Sequence, residues 1–150
     1  MTMNVTVNDI QQAHTRIAPY IHRTPILESR ALNEIIGCEL FFKAENFQKI
    51  GAFKARGACN AVFSMDKATL QKGVVTHSSG NHGAALAWAA ALRGVACTVV
   101  MPENAPSVKI AAVASYGATI ELCEPTMAAR EGTVARLIEY HDYTLVHPYD

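Results

Sequence analysis

The sequence has little charge and no excess of either sign. Charged residues make up 17% of its 150 residues, against roughly 25% in an average soluble domain, and 13 basic residues balance 13 acidic ones. Without a basic stripe, nucleic acid is excluded as a partner. The shortage of charge suggests that another domain, a subunit or a further stretch of chain covers part of the surface. An alanine-rich composition would produce the same shortage.

Long apolar runs and paired cysteines are missing as well. No stretch of about 18 apolar residues occurs, so no membrane-spanning helix is predicted, and the N-terminus lacks the regions of a secretory signal. None of the four cysteines lies in a CxxC pair, so no metal site is predicted. Three cysteines lie among apolar neighbours and are interpreted as buried thiols, which favours a reducing, cytoplasmic compartment. They are Cys59, Cys97 and Cys123.

What the sequence does contain is a lysine in a particular setting. Lys54 lies at the predicted start of a helix, directly after Phe53, and Gly51 and Gly57 let other groups approach closely. Contact with an apolar ring disfavours a charged ammonium, so a free amine nucleophile becomes easier to form. Such an amine suits Schiff-base chemistry with an aldehyde cofactor such as pyridoxal phosphate. Without these neighbours, the residue would be typical of a surface lysine in a first helical turn.

A second polar segment, Ser78–Gly83, lies between a predicted strand and a predicted helix. Hydroxyls, an amide and the backbone N–H groups of a helix start can together hold a carboxylate or a phosphate. The segment lacks the Gly-Lys-Ser/Thr of a Walker loop and the full GxGxxG fingerprint. An ordinary polar connection would have the same composition, and His82 would then orient the loop as a hydrogen-bond donor.

The order of predicted elements indicates an α/β fold. Strands are predicted at 74–77, 95–101, 118–123 and 143–147, and helices at 84–92, 107–116 and 127–141. This alternation is typical of βαβ units with right-handed crossovers, and so of an open, twisted parallel sheet with helices on both faces, a three-layer αβα arrangement. Ligands of such folds bind outside the carboxyl ends of the strands, where Ser78–Gly83 falls.

The first half of the chain is less regular. Apolar spacing after a Thr6 cap predicts a helix that includes Ile10 and Ile17, and further patterns predict a helix over 29–36, a strand over 39–44 and a helix over 53–65. The chain ends soon after its fourth predicted sheet strand, with no helix to cover that strand. We therefore expect an incomplete fold.

Together the two segments resemble the pyridoxal-phosphate enzymes of the tryptophan synthase β fold group. Within this group the chain is similar to the branch of serine racemase, threonine (serine) dehydratase and threo-3-hydroxyaspartate ammonia-lyase. The resemblance rests on Lys43–Gln48, Gly51–Ala58, Ser78–Gly83 and Thr24–Ile26, and it extends to Asp150. It implies an incomplete tryptophan synthase β-like fold. Residues 1–68 would be the N-terminal part of a large domain, and residues 69–150 a small α/β domain with four parallel strands.

The resemblance also implies which residues hold the cofactor, pyridoxal 5'-phosphate. Lys54 would be the Schiff-base lysine and the base on one face of the cofactor. Phe53 would pack near the cofactor ring, and Asn81 would bond the phenolic oxygen of that ring. The glycine-rich phosphate loop, the partner of the pyridine nitrogen and a divalent-cation site, which could take Mg²⁺ in the complete enzyme, would lie beyond the equivalent of Asp150.

The substrate residues follow from the same resemblance. Ser78, Ser79 and His82, with Asn81 and the N–H groups of the turn, would hold the carboxylate of a small amino acid. Ser79 would also carry a proton on the face opposite Lys54, where dehydratases of the threonine type often have alanine. A proton carrier on each face permits racemisation beside loss of ammonia. This favours the racemase and hydroxyaspartate-lyase members of the branch.

The resulting prediction is a racemase, an ammonia-lyase or both, acting on serine, threonine or 3-hydroxyaspartate, and homodimeric when complete. Ala52 stands where many relatives have serine, and Ala84 stands where some racemases have glutamine, which leaves substrate preference open. Two alternatives remain. One is a non-catalytic α/β fragment or assembly module, and the other is a β-replacement enzyme like cysteine synthase, against which the Ser79 hydroxyl argues.

Overall fold

The structure is a computed structural model that describes residues 5–149. Its first helix, α1 (Val7–Ile17), begins after Thr6, whose hydroxyl accepts a hydrogen bond from the N–H of Asp9. The Asp9 carboxylate in turn accepts one from the N–H of Thr6. This reciprocal capping box satisfies N–H groups that the start of a helix leaves without partners. The first predicted helix is confirmed.

A two-stranded antiparallel hairpin follows, and its two strands are connected by a helix. β1 (Ile26–Leu27) pairs antiparallel with β2 (Phe42–Lys43), and α2 (Arg30–Ile36) connects them. As predicted, α2 ends at Gly37, which has a φ of 77°. The strand predicted over 39–44 is reduced to the two residues of β2, because β1 offers only two partners.

The chain reaches the lysine helix through a strained turn. Two 3₁₀ turns, Glu45–Phe47 and Lys49–Gly51, precede α3 (Lys54–Ser64). In the second turn Ile50 has a φ of 57° and Gly51 a φ of 73°. Because a left-handed conformation costs a residue with a Cβ roughly 1–2 kcal/mol, the contacts around Ile50 must hold it there.

The second half of the chain forms the predicted parallel sheet. A short helix, α4 (Lys67–Gln71), leads into it and was not predicted. The elements that follow are β3 (Val74–His77), α5 (Asn81–Arg93), β4 (Cys97–Pro102), α6 (Ser107–Ser115), β5 (Thr119–Cys123), α7 (Met127–His141) and β6 (Thr144–Leu145). The strand order is β5-β4-β3-β6, and every neighbouring pair is parallel.

Helices cover both faces of this sheet. Side chains alternate along β3 and β4, so Val74 and Val99 pack with residues of α3 and α5 in the main core. Val75 and Val100 point to the other face and pack with Val134 of α7 in a second core. The predicted α/β class, a parallel sheet flanked by helices, is therefore confirmed.

Several element boundaries differ from the prediction, among them those of α5, α6 and β6. α5 starts at Asn81 rather than at Ala84, so half of the predicted polar loop belongs to the helix. Ser107 is the first residue of α6 rather than its cap, because Pro106 takes the cap position. β6 has two residues instead of the predicted 143–147, since only two of its residues pair with β3.

The main core crosses the predicted domain boundary. Cys59 and Val62 of α3 belong to the same buried cluster as Leu86 of α5, and α3 packs along α5. Residues on both sides of the boundary therefore share one core within this chain. The division into residues 1–68 and 69–150 stays a prediction about the whole protein.

Three of the four thiols lie in these cores. Cys59, Cys97 and Cys123 are buried, as predicted, whereas Cys38 is exposed. Burial raises the pKa of the Cys59 thiol to about 11 and that of Cys97 to about 12. These buried thiols behave as small apolar core residues.

Candidate active site

The turn that leaves β3 places polar groups at the carboxyl edge of the sheet. Ser78 and Ser79 follow the strand, Gly80 caps α5, and Asn81 and His82 lie in its first turn. The Oγ of Ser78 accepts a hydrogen bond from the N–H of Gly80 at 3.2 Å. The hydroxyl of Ser79 has no hydrogen-bond partner within residues 5–149. A spare hydroxyl and the N–H groups at the positive end of a helix together suit an anion.

Close packing beneath this turn explains Gly83. A Cβ at this position would lie 3.0 Å from a methyl carbon of Val99 and 3.1 Å from the carbonyl oxygen of Ser78. Val99 is fully buried and the carbonyl is backbone, so neither can easily move. Glycine therefore lets the first turn of α5 lie directly against β4.

The amine of Lys54 contacts the segment that leaves β6. Lys54 is the first residue of α3, and its Nζ donates a hydrogen bond to the carbonyl oxygen of Pro148 at 2.7 Å. The centroid of the Phe53 ring lies 5.5 Å from Nζ, but this side chain is 59% exposed. The contact between Lys54 and the Phe53 ring that the sequence suggested is therefore present, but an exposed ring face attracts an ammonium and does not favour the free amine.

His82 contacts the same segment from α5. Its Nε2 lies 3.2 Å from the carbonyl oxygen of Val146, and because a carbonyl only accepts hydrogen bonds, Nε2 carries the proton. Burial lowers the pKa of His82, the bond to Val146 opposes this, and the nearby charge of Lys54 lowers the pKa further. His82 is therefore neutral at pH 7. Its imidazole therefore orients the exit of β6.

A group of rings beside these residues was not predicted. His77, the last residue of β3, is buried, and its ring centroid lies 5.8 Å from that of His147 in an edge arrangement. The ring centroid of His147 lies 5.4 Å from that of Tyr149, and the backbone N–H of Tyr149 donates a hydrogen bond to Nδ1 of His147. Burial, and then the proximity of His147, lowers the pKa of His77. These residues meet because β3 and β6 are neighbouring strands of the sheet, and no local sequence pattern indicates that pairing.

An ion pair behind Lys54 was also missed. Nε and Nη2 of Arg56 donate to the two carboxylate oxygens of Glu45 at 2.8 and 2.7 Å, and the Thr24 hydroxyl donates to Oε1 at 2.6 Å. The hydrogen bonding from Arg56 is the main cause that lowers the pKa of Glu45 to about 2. The pair joins the two ends of the segment that contains the strained turn at Ile50. It therefore fixes where α3 begins.

The structure brings the predicted residues to one edge of the molecule. Phe53 caps α3 and Lys54 begins it, Ser78–His82 form the turn into α5 and its first two residues, and these two helices pack side by side. Both contact the backbone of Val146–Pro148. Ser78 and Ser79 are partly exposed and Asn81 is exposed, so all three can be reached from outside. Across residues 5–149, no three His, Cys, Asp or Glu side chains are grouped as metal ligands.

Residues 17–150 match the model of a protein family described as pyridoxal-phosphate dependent enzyme. The chain belongs to the family of pyridoxal-phosphate dependent enzymes. The fold expected from the resemblance, a parallel sheet flanked by helices as in the tryptophan synthase β-like group, is the fold that its structural neighbours share. The dependence on pyridoxal phosphate is thereby confirmed for the family to which the chain belongs.

Named relatives place the chain within the family. It is 57% identical to serine racemase from Dictyostelium discoideum, over 97% of this chain and 45% of that protein. It is 53% identical to beta-hydroxyaspartate dehydratase from Paracoccus denitrificans, over 97% of this chain and 46% of that protein. The crystal structure of threonine deaminase from T.th. superposes with a TM-score of 0.89 at 42% identity, over 97% of this chain and 46% of that one. The chain thus spans less than half the length of the relatives it matches.

The groups at this edge fit the aldehyde end of pyridoxal phosphate. Lys54 supplies a primary amine, Asn81 an amide, and Ser79 a hydroxyl that has no other partner among residues 5–149. Gly83 keeps the backbone of the turn close to the sheet, so its N–H groups stay at the edge. An amine for an aldehyde, an amide for a ring oxygen and N–H groups for a carboxylate form a consistent donor set.

Proposed function

We propose that the protein carrying this chain is a pyridoxal-phosphate dependent enzyme that acts on a β-hydroxy amino acid, as a racemase, an ammonia-lyase or both. The observation that supports it is the meeting of Lys54 from α3 and His82 from α5 at one backbone segment, Val146–Pro148. This places an amine beside a helix N-terminus that suits a carboxylate. Relatives named serine racemase and beta-hydroxyaspartate dehydratase supply the substrate class. Because the chain spans less than half of them, the proposal concerns the whole protein.

Lys54 is the residue that would hold the aldehyde of the cofactor. When bound, pyridoxal phosphate supplies electron withdrawal, which acidifies the hydrogen on the α-carbon of an amino acid. Released as an amine, Lys54 accepts that proton on one face. Its hydrogen bond to Pro148 fixes where Nζ stands before this happens.

The turn at the start of α5 would hold the substrate. Ser78, Ser79 and the N–H groups of Asn81 and His82 bind the carboxylate, and the Asn81 amide bonds the ring oxygen of the cofactor. The side chain of His82 is bonded to Val146, so its backbone N–H is the group we assign to the carboxylate. The Ser79 hydroxyl carries a proton on the face opposite Lys54. Two proton carriers on opposite faces allow inversion of the α-carbon. Loss of the β-hydroxyl as water gives an enamine, and water hydrolyses the imine form of this product to an oxo-acid and ammonia.

Four further statements belong to the same proposal. The complete enzyme is a homodimer, lies in the cytoplasm, acts on free amino acids, and divides into the two domains predicted from the sequence. The shortage of charge supports a covered surface. None of the helices formed by residues 5–149 is long and apolar enough to cross a membrane.

The test of this proposal is chemical trapping at Lys54. The whole protein is incubated with pyridoxal phosphate, reduced with borohydride and digested, and the peptides are weighed. We expect the reduced cofactor on the peptide that contains Lys54, no label in Lys54→Ala, and an unchanged label in Lys49→Ala. A label on another lysine, or one that survives Lys54→Ala, contradicts the assignment. Assays of racemisation and ammonia release with L-serine, L-threonine and 3-hydroxyaspartate then show which substrate is preferred. β-Replacement without racemisation or ammonia release would contradict the proposed reaction.

A further inference from the structure

A second cavity lies outside the site described above. It measures about 540 Å³ and lies between α1, the segment around residues 21–23, β2 and the first turn of α3. Sites for small ligands are typically about 300–1,000 Å³, so the groove is large enough for a molecule of several functional groups. The lining residues are His14, Ala18, Ile21, His22, Arg23, Lys43 and Arg56.

The groove is lined with hydrogen-bond donors of positive charge. Arg23, Lys43 and Arg56 contribute three cations, His14 and His22 add two imidazoles, and none of the lining residues is acidic. The chain as a whole has no net charge, so this concentration of one sign is local. Lysine and arginine side chains can only donate hydrogen bonds. A groove lined this way matches an anion.

Donors remain after the bonds within the protein are counted. Arg56 uses Nε and Nη2 for Glu45 and Nη2 again for the carbonyl of His22, so the two N–H groups of Nη1 have no partner within residues 5–149. Lys43 donates one of its three N–H groups to the carbonyl of Thr24 at 2.5 Å. Two guanidinium and two ammonium N–H groups are therefore open to a ligand.

His22 is fixed in position before any ligand arrives. The side chain of Gln48, which is 3% exposed, accepts from the N–H of His22 at 2.8 Å and donates to its carbonyl at 2.7 Å. Nδ1 of His22 lies 3.0 Å from the carbonyl oxygen of Phe47, so Nδ1 carries a proton, and Nε2 of the neutral ring can accept a hydrogen bond from a ligand hydroxyl. Groups that are already ordered lose little conformational freedom on binding.

We propose that this groove binds a small multivalent oxyanion, such as a phosphate ester, a pyrophosphate group or a polycarboxylate. Arg23, the Lys43 ammonium and Nη1 of Arg56 hold the oxyanion groups, and Ala18 and Ile21 contact its carbon skeleton. The site is separate from the Lys54 edge and does not depend on the proposed reaction. Since Arg56 also holds Glu45, a bound anion shares a partner with the ion pair that fixes the start of α3.

The experiment measures anion binding by the whole protein saturated with pyridoxal phosphate, so that the phosphate site of the cofactor is filled. Pyrophosphate and citrate are titrated separately by calorimetry at pH 7 and constant ionic strength. We expect saturable binding of at least one of them, weakened about tenfold or more in the double variant Arg23→Gln/Lys43→Gln, because charge-assisted bonds are lost. Binding of pyrophosphate alone assigns a phosphate ligand, and binding of citrate alone assigns a carboxylate ligand.

The matched control is Arg30→Gln/Lys67→Gln, which removes the same two charges from exposed positions outside the groove. Equal weakening in the control, unchanged binding in the groove variant, or no saturable binding of either anion overturns the proposal. A second measurement on the unaltered protein tests the proposal even if the groove variant does not fold. In the unaltered protein the anion should shift the Nε2 resonance of His22 and leave that of His141 in place, and an unshifted His22 overturns the proposal equally.

Discussion

Lys54 and His82 bind carbonyl oxygens that are two residues apart. Nζ of Lys54 donates to Pro148 at 2.7 Å, and Nε2 of His82 donates to Val146 at 3.2 Å. The first residue comes from α3 and the second from α5, so the exit of β6 is clamped between the two elements that supply the candidate site. The bond to Val146 favours the protonated imidazole, but burial next to the charge of Lys54 disfavours it more, so the pKa of His82 is lowered.

The first prediction concerns stability below neutral pH. The pKa of His82 in the folded protein lies below its usual 6.5, chiefly through burial. The unfolded chain therefore binds a proton more readily, so stability is fully present above pH 6.5 and is lost as pH falls through the lower folded value. The slope that one such group adds to the free energy of unfolding is at most about 1.4 kcal/mol per pH unit.

Urea unfolding between pH 7 and 5 should show a shallower pH dependence in His82→Gln than in the unaltered protein. His77, whose pKa burial also lowers, contributes with the same sign and remains in both proteins. His141→Gln, at an exposed position, serves as the matched control for removal of an imidazole outside this contact. Identical slopes for His82→Gln and the unaltered protein would show that folding does not change the pKa of this imidazole.

The second prediction separates the two faces of the substrate. Ser79→Ala in the whole enzyme removes the proton carrier that we place opposite Lys54, while Lys54 still accepts the α-proton. Since general acid–base groups contribute about 10²- to 10⁴-fold, racemisation should fall about 100-fold or more and release of ammonia by much less. Chiral chromatography and oxo-acid detection measure the two. Ser107→Ala, outside this site, should change neither rate, and an equal loss of both rates in Ser79→Ala would refute the two-face scheme.

The third prediction concerns the ion pair that fixes the start of α3. Glu45→Gln keeps the shape of the side chain but removes the charge that Arg56 binds. The side chains of Arg56 and Glu45 are 31% and 21% exposed, so solvent screening limits the expected loss of stability at pH 7 to about 1–2 kcal/mol. Glu34→Gln breaks an exposed pair with Arg30 and should cost less than about 0.5 kcal/mol.

The pH dependence of Glu45→Gln shows in which direction the contribution of the ion pair to stability changes with pH. The pKa of Glu45 falls from 4.5 to about 2 on folding, mainly through the hydrogen bonding from Arg56. Its contribution is therefore complete above pH 4.5 and disappears as pH falls toward 2, because the unfolded state takes up the proton first. The difference in unfolding free energy between the unaltered protein and Glu45→Gln should shrink over this window, and a constant difference would exclude the ion pair as its cause.

The fourth prediction uses two glycines in helices. Gly83→Ala places a Cβ against Val99 and the backbone of Ser78, and overpacking of this kind destabilises by about 1–3 kcal/mol. Gly132→Ala lies within α7 with no atom within 4 Å of the new Cβ, so it should stabilise by about 0.5–1 kcal/mol through helix propensity. Thermal unfolding measures both, and a neutral Gly83→Ala would mean that the turn can move away from β4.

The regular elements could be predicted because their signals are local. β3 matches its predicted span of 74–77 since a short apolar run there lies between Gly73 and a polar turn. α7 matches 127–141 because Thr126 caps it and its apolar spacing continues to the end. The strand predicted over 39–44 was too long, because strand length depends on a partner that the local pattern does not contain.

The candidate site could be predicted only in part for the same reason. The motifs around Lys54 and Ser79 are contiguous in sequence and were singled out directly. The contacts that position them join residues far apart in the chain, 94 positions for Lys54 with Pro148 and 64 for His82 with Val146. Nothing near Pro148 marks its carbonyl as a partner, since every residue has such an acceptor.

The unequal burial of the thiols has a practical consequence. Maleimide dyes react with thiolates, and the high pKa values of Cys59 and Cys97 together with the burial of Cys123 protect those three positions. Within residues 5–149, brief treatment at neutral pH should thus attach one fluorophore, at Cys38, just after α2 and before β2. Fluorescence from that position would report on the hairpin of β1 and β2 without replacement of Cys59, Cys97 or Cys123.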